Sequence, residues 1–420
     1  MTCQNTLHGY HKTSIALSHV CHEWRRVALN FASLWSGVYW NDSHSSLRRS
    51  SFEVLDAVLL RSRDAPIEFE VSLSEGMQVL SRFLDTILPH MWRCRALYLD
   101  GRQTHLRLFL RTISTSLTSS QMSYLIVPKM ETLVITRYSG DDADLDLPDI
   151  GHLFGGEAPG LHHVSVMYLG TLNIFKQSLP SIDSLSIDRP ATEISTCTSL
   201  SKLTISGHEC PDTPFDLPAL RDLKWLPYDQ DPVNPEMLLS VNCWANLTDL
   251  TLRLRNILGI LEILSRTPNL RRASLSIPDR GVLNAGPMPT TLPYLEELVV
   301  DLIRAHLYYG PPPLNFLDQL NVPKLRHLTA RSSTGYVIVD PKPLWRLLER
   351  CQPPLISLTL DREFARDTTL PSTIQSLPHL RLLSLDPHGK LSEGVHDHLN
   401  RVMKEQDGQV VISSARNLAE

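Results

Sequence analysis

The sequence predicts an α/β repeat fold: a curved parallel sheet of short strands, with helices and turns on its outer side, preceded by a small helical segment. Three observations predict it. A strand-like phrase of the form Leu-x-x-Leu-x-Leu, or a close apolar variant, recurs about a dozen times; Pro218 to Trp225, Pro293 to Val300, Pro323 to Ala330 and Pro378 to Leu385 are four copies. The lead residue of each copy is Cys94, Met130, Leu161, Ile182, Leu200, Leu220, Leu247, Leu270, Leu295, Leu325, Leu355 or Leu380, and at nine of these twelve a proline lies two residues earlier. Proline lacks an N–H, which suits it to the first position of a strand after a helix or loop has ended. Third, the residues three and five after each lead residue are nearly always apolar, an alternation that turns them to one face. A unit that cannot bury this face alone must stack on its neighbours.

The elements follow in order. Leu17, Val20, Cys21, Trp24 and Val27 recur at helical spacing, which predicts one helix with Ser18 as its N-cap and with His22, Glu23, Arg25 and Arg26 turned to solvent. A turn near Asn30 leads to Ser33-Leu34-Trp35 and a short strand ending at Trp40. Three of the seven tryptophans, Trp24, Trp35 and Trp40, fall in this stretch, and so much aromatic bulk requires a partner surface. Residues 47–92 read as helix, strand, helix: Phe52, Leu55, Val58 and Leu59 form the first stripe, Ile67, Phe69, Val71 and Leu73 alternate as a strand, and Leu80, Phe83, Leu84, Ile87, Leu88 and Met91 form the second stripe. Repeat spacings then run from 18 residues (Ile182 to Leu200) to 36 (Cys94 to Met130). Long units have room for an outer helix, as at Ile257, Leu258, Leu261 and Leu264 or at Leu344, Leu347, Leu348 and Cys351. The units between Leu161 and Leu220 hold only turns. Loops at Gly281 to Pro289 and Gly310 to Pro313 interrupt the array. A helix (Val395 to Met403) and a strand (Val410 to Ile412) close it. The division is therefore 1–45, a helical segment; 46–92, a helix-strand-helix cap; 93–387, the repeat array; and 388–420, a C-terminal cap and tail.

Composition bounds the function. The hydrophobic share of 42% over 420 residues supports a folded core, and a net charge of −5 gives no argument for general nucleic-acid affinity, which wants a basic surface. Seven cysteines, odd in number and without a Cys-x-x-Cys pair, fit reduced thiols inside the cell, in cytoplasm or nucleus. The N-terminus has no signal-peptide core, and no apolar run approaches the ~20 residues of a membrane helix.

Two features together resemble the F-box proteins with degenerate leucine-rich repeats that are expanded in fungi. Ile15-Ala-Leu-Ser-His-Val-Cys-His-Glu-Trp-Arg-Arg-Val-Ala-Leu, followed by Ala32-Ser-Leu-Trp-Ser, is similar to the second half of an F-box. Leu60-Arg-Ser-Arg-Asp-Ala-Pro-Ile-Glu-Phe and Leu88-Pro-His-Met-Trp-Arg-Cys-Arg-Ala-Leu are similar to that group's continuation, so the likeness covers most of the chain. The resemblance implies an irregular leucine-rich-repeat solenoid and a non-enzymatic substrate receptor of a cullin-type (SCF) ubiquitin ligase. Its F-box would dock on a Skp-type adaptor and its repeats would hold a target protein, without a cofactor, nucleic acid or membrane. Carried over by position, Leu17, Val20, Cys21, Trp24, Leu34 and Trp35 would form the F-box core and part of its adaptor-facing surface. The sequence departs from the family in two respects. About fourteen polar residues precede the match and hold no Leu-Pro, so the family's first helix is not represented. No asparagine or cysteine stands eight residues after a lead residue, so the family's internal asparagine ladder is absent.

Catalytic and metal chemistry has little support. Cys3, His8, His11, Cys21 and His22 lack the paired spacing that zinc requires. Asp142, Asp144 and Asp146 begin like a calcium loop, but Leu147 and Leu153 stand where glycine and glutamate belong. Gly155 to Gly160 lacks the Gly-Lys-Ser/Thr ending of a phosphate loop, and Glu393, His396 and His398 read as solvated surface. No Gly-x-Ser-x-Gly elbow occurs.

One pattern on the array is less neutral. The residue six after the lead is Asp100, Asp188, Asp301, Asp361 or Asp386 in five copies, and Arg253 or Arg331 in two others. Aspartate favours strand ends and turns for local reasons. The functional alternative is a mostly acidic rim on the concave face that prefers a basic partner. Four residues after the lead, Ser165, Ser186, Thr204, Thr251, Ser274, Thr329, Thr359 and Ser384 predict a small polar floor. A free-standing repeat scaffold with no ligase link competes with the receptor reading. As a cap, the N-terminal segment packs Trp24 and Trp35 onto residues 47–92; as a docking module, it presents an apolar patch.

Overall fold

The computed structural model describes the chain except residues 1–9, 42–48, 74–76, 119–128, 138–159, 168–180, 189–191, 208–212, 228–237, 255–256, 279–288, 304–313, 333–338, 362–363, 365–369, 386–398, 405–407 and 413–420. The protein is α/β and divides into two compact units, Met1–Leu200 and Ser201–Glu420.

The first unit opens with α1 (Tyr10–Val20) and α2 (His22–Asn30), a 3-10 turn (Ala32–Trp35) and strand β1 (Gly37–Asn41). Helix α3 (Arg49–Arg61), β2 (Ile67–Leu73), α4 (Met77–Ile87), β3 (Cys94–Gly101), α5 (Gln103–Thr118), β4 (Thr132–Arg137), β5 (His163–Met167) and β6 (Ser184–Ile187) follow. The six strands pair in chain order, each parallel to the next. Between β2 and β3 the register shifts by one residue at Ile67/Glu68. At the far end of that pair Gly101 lies opposite Leu73. A Cβ there would sit 2.6 Å from the Leu73 carbonyl oxygen, so the close approach requires glycine.

The second unit contains β7 (Lys202–Ile205), β8 (Asp222–Trp225), α6 (Val241–Asn246), β9 (Asp249–Arg253), α7 (Ile257–Ser265), β10 (Arg272–Pro278), β11 (Thr290–Thr291) and β12 (Glu297–Ile303). A 3-10 turn (Leu314–Gln319), β13 (Leu320–Asn321), β14 (His327–Ser332), α8 (Lys342–Cys351), β15 (Ser357–Leu360), α9 (Leu370–Gln375), β16 (Leu382–Leu385), a helix over 399–404 and β17 (Gln409–Ile412) complete it. Strands β7, β8, β9, β10, β12, β14, β15, β16 and β17 pair in that order, all parallel. Strands β11 and β13 form a separate parallel pair.

The core follows from the repeat pattern. All twelve lead residues are 0% exposed. Registry then aligns the third position: Leu223, Leu250, Ala273, Leu298, Leu328, Leu358 and Leu383 lie side by side and are buried. Full burial of each such leucine contributes ~1.5–3 kcal/mol relative to exposure, so stacking replaces what no single unit supplies. Outer helices form where the long units predict them: α7 buries Ile257, Ile260, Ile263 and Leu264, and α8 buries Leu344, Leu347 and Leu348.

A second regularity lies at the strand starts of the second unit. The carbonyl of the residue one after each lead accepts two N–H groups from the next repeat: Arg271 N and Arg272 N donate to Thr248, Glu296 N and Glu297 N to Arg271, Arg326 N and His327 N to Glu296, and Ile356 N and Ser357 N to Arg326. The same step joins Arg221 to Ser201, Thr248 to Arg221 and Arg381 to Ile356. This ladder holds the side chains Ser201, Arg221, Thr248, Arg271, Glu296, Arg326, Ile356 and Arg381 in one row.

Candidate functional site

The N-terminal segment differs from its expected form. Leu17, Val20, Cys21, Trp24 and Val27 do not share one helix, because the chain breaks between α1 and α2. Cys21 is extended (φ −158, ψ 174) and gives α2 no side-chain cap. His19, Val20, Cys21 and His22 are all weak helix formers, which is where the break falls. Ser18 is not an N-cap. It is buried inside α1 and its Oγ donates to the Ile15 carbonyl at 2.7 Å. The break folds α2 back on α1, and Arg25 Nε donates to the Ser18 carbonyl at 2.8 Å.

Leu17, Val20, Cys21, Trp24, Leu34 and Trp35 then separate into two groups. Trp35 is 1% exposed; its indole N–H donates to the Ala28 carbonyl, and the Arg61 guanidinium lies 4.6 Å above its ring. Leu17 and Leu34 are half-buried. Trp40 extends the packing, with ring centroids 4.8 Å from both Phe52 of α3 and Phe83 of α4. In contrast, Val20, Cys21 and Trp24 are exposed. Trp24 (51% exposed) and Val27 (52%) lie one turn apart on α2, and Phe31 (59%) follows at its C-cap. A face of large apolar groups therefore looks outward while Ala28 on the same helix is buried.

Behind this segment, Arg93 is 1% exposed. Its guanidinium donates to the Leu59 carbonyl at 2.9 Å and the Ala65 carbonyl at 3.3 Å, closing the C-terminal end of α3. Burial holds both His90 and Arg93 below their ordinary pKa, and each is within reach of the other.

On the open face of the sheet, registry aligns Thr251, Ser274, Thr329, Thr359 and Ser384 of the polar floor, and the apolar Val299 interrupts the row between Ser274 and Thr329. One step along, Arg253, Ser276, Asp301 and Arg331 form the next row. Asp301 is half-buried with its carboxyl pushed up by burial, an effect that Arg331 and Arg253 oppose. Arg253 and Arg331 are exposed. Asp361 is 9% exposed, and its carboxylate accepts hydrogen bonds from the backbone N–H of Ser332 and of Phe364. This aspartate closes a loop, so the local reading of aspartate at a strand end applies to it. Asp386, the Asp142 to Asp146 stretch, Cys3, His8, residues 155–159, Glu393, His396, His398 and most of both interrupting loops lie outside the described residues. In the first unit Asp100 and Asp188 are half-buried. Asp100 lies opposite Ser72, one step from the Tyr39, Glu70 and Tyr98 row, and burial followed by Asp100 raises the Glu70 pKa.

The row of arginines at the strand starts was not anticipated as a surface, although Leu-Arg recurs in Leu220-Arg221, Leu270-Arg271, Leu325-Arg326 and Leu380-Arg381. Among the described residues, no group of three or more His, Cys, Asp or Glu side chains could hold a metal, and no helix is long and apolar enough to cross a membrane. A scan against models of known protein families and a search of curated proteins each return no match.

Proposed function

We propose that this chain is a non-enzymatic substrate receptor of a cullin-type ubiquitin ligase, with the α1–α2 pair docking on a Skp-type adaptor and the repeats holding a target protein. The finer fold in this reading is an irregular leucine-rich-repeat solenoid behind an F-box-like segment. The observation that carries it is the division of the N-terminal aromatics: Trp35 is locked into the chain's own packing, while Trp24, Val27 and Phe31 are offered outward. An apolar face of this kind on a short helix is a docking feature, since solvent exposure of three large apolar groups is unfavourable without a partner. The chain contributes position, not chemistry. It brings a bound target near a ligase that other subunits supply.

A second reading also has an observation behind it. Trp35 and Trp40 pack as a cap on the strand stack, and Glu68 N donates to the Ser36 carbonyl at 2.9 Å, which continues the sheet into this segment. The chain would then be a free-standing interaction scaffold. Capture of a purified Skp-type adaptor by the tagged full chain separates the two. Adaptor retained at stoichiometric levels supports the receptor reading; a chain that folds and retains none leaves the scaffold.

A further inference from the structure

Along the strand-start row of the second unit, arginine occupies alternate strands. Arg221 precedes β8, Arg271 precedes β10, Arg326 precedes β14 and Arg381 precedes β16, while Thr248, Glu296 and Ile356 stand before the strands between. Strands in a sheet lie ~4.8 Å apart, so the arginines repeat at ~9.6 Å. Their carbonyls are fixed by the backbone ladder, which sets this spacing independently of side-chain rotamers.

Charge on this edge is sorted by depth. Lys202, Arg221, Arg271, Arg272, Lys324, Arg326 and Arg381 are exposed, whereas Asp222, Asp249, Glu296 and Glu297 are half-buried. Asp249 is taken by Arg272. Burial raises the Asp222 pKa and Asp249 adds to it, while Lys224, Lys202 and Arg272 oppose the shift. Lys324 lies 4.7 Å over the Tyr294 ring. Among the described residues, Arg271 and Arg326 enter no ion pair. An approaching molecule therefore meets guanidiniums first.

We propose that this edge binds an extended acidic segment of a partner protein, with a carboxylate at about every third residue. A polyproline-II strand turns once per three residues at ~3.1 Å each, which returns one face every ~9.3 Å and matches the arginine repeat. Guanidinium pairs with carboxylate in a planar, two-bond geometry. Nucleic acid is a poorer fit. Its phosphates would approach Glu296 and Glu297. Single strands need a series of stacking rings, and the rings on this edge among the described residues, Tyr294 and His327 included, form no such series. The proposal rests on the array being the target-holding part of the chain and needs no adaptor.

The test is fluorescence anisotropy with the full chain and a labelled peptide of about twelve residues, glutamate at each third position with prolines between. The comparators are a peptide of the same composition with its glutamates contiguous, a lysine counterpart and an oligothymidine. The spaced-glutamate peptide binds best, weakens as salt shortens the screening length from ~14 Å to ~4 Å, and loses about tenfold or more in Arg271→Glu/Arg326→Glu. Both positions are exposed, so the variant keeps the wild-type melting temperature; Arg271→Gln/Arg326→Gln repeats the loss at smaller size if it does not. Equal binding by both variants and wild type, equal binding of the lysine or contiguous peptide, or tighter binding of the oligothymidine overturns it. A chain that captures the adaptor but ignores the peptide overturns this inference alone; the reverse outcome overturns only the ligase link.

Discussion

The Trp35 indole N–H donates to the Ala28 carbonyl across 2.7 Å, joining the last turn of α2 to the turn that follows it. Both residues are 1% exposed. The bond satisfies a carbonyl near the end of α2 and fixes which side of that helix faces the chain. Replacing Trp35 with Phe keeps most of the apolar bulk but removes the donor. The expected loss is ~1–3 kcal/mol in urea unfolding, the cost of a buried acceptor left without its partner.

Arg93 closes the end of α3 from 34 residues away, through the Leu59 carbonyl. Arg93→Met fills similar volume and deletes the donors. We expect a loss of ~1–3 kcal/mol by chemical denaturation. Arg93→Lys does not restore it, because one ammonium on a flexible stem cannot reach the Leu59 and Ala65 carbonyls with the fixed fork of a guanidinium.

Asp361 and Asp301 occupy equivalent repeat positions but differ in role. Asp361→Ala removes the acceptor for Ser332 N and Phe364 N and should cost ~1–3 kcal/mol. Asp301→Asn keeps the shape, removes a half-buried charge and should leave the unfolding midpoint unchanged or higher at neutral pH. Equal losses at the two sites would contradict the assignment.

Glu70 gives a pH dependence of definite sign. Burial first, and Asp100 second, hold its carboxyl above the ordinary value of 4.5. The folded state therefore binds this proton more tightly than the unfolded state does. Its contribution is most favourable below 4.5 and is lost as pH rises through the raised folded value. Glu70→Gln should flatten the decline in melting temperature above pH 4.5 and melt higher than wild type at neutral pH. An unchanged slope would remove Glu70 as the cause.

The repeat core was legible because two signals coincide at nine of the twelve copies: the proline that ends a connection and the alternation that follows it. Leu298 and Leu328 come to lie opposite each other for that reason alone. The α1–α2 break was not legible, since Val20, Cys21 and Trp24 keep a helical interval even where the backbone leaves the helix. Nor does periodicity reveal which apolar residues have partners: Trp24 stays exposed, whereas Trp35 is buried under Arg61 with its indole N–H on the Ala28 carbonyl. Aspartate suits both an exposed strand end and a loop closure, so the sequence does not separate Asp361 from Asp301. The Leu-Arg pairs are visible in the sequence, but only registry places them on alternate strands.

On the proposed receptor reading, Trp24 and Val27 meet the adaptor while Trp35 holds the fold. The most direct measurement is a calorimetric titration of a purified Skp-type adaptor into the wild-type chain and into Trp24→Ala/Val27→Ala, with the melting temperature of each recorded. On that reading the wild type binds, the double variant loses at least about tenfold in affinity, as central aromatic anchors do, and the two melt together. A wild type that does not bind, or a variant that binds equally well, would contradict it.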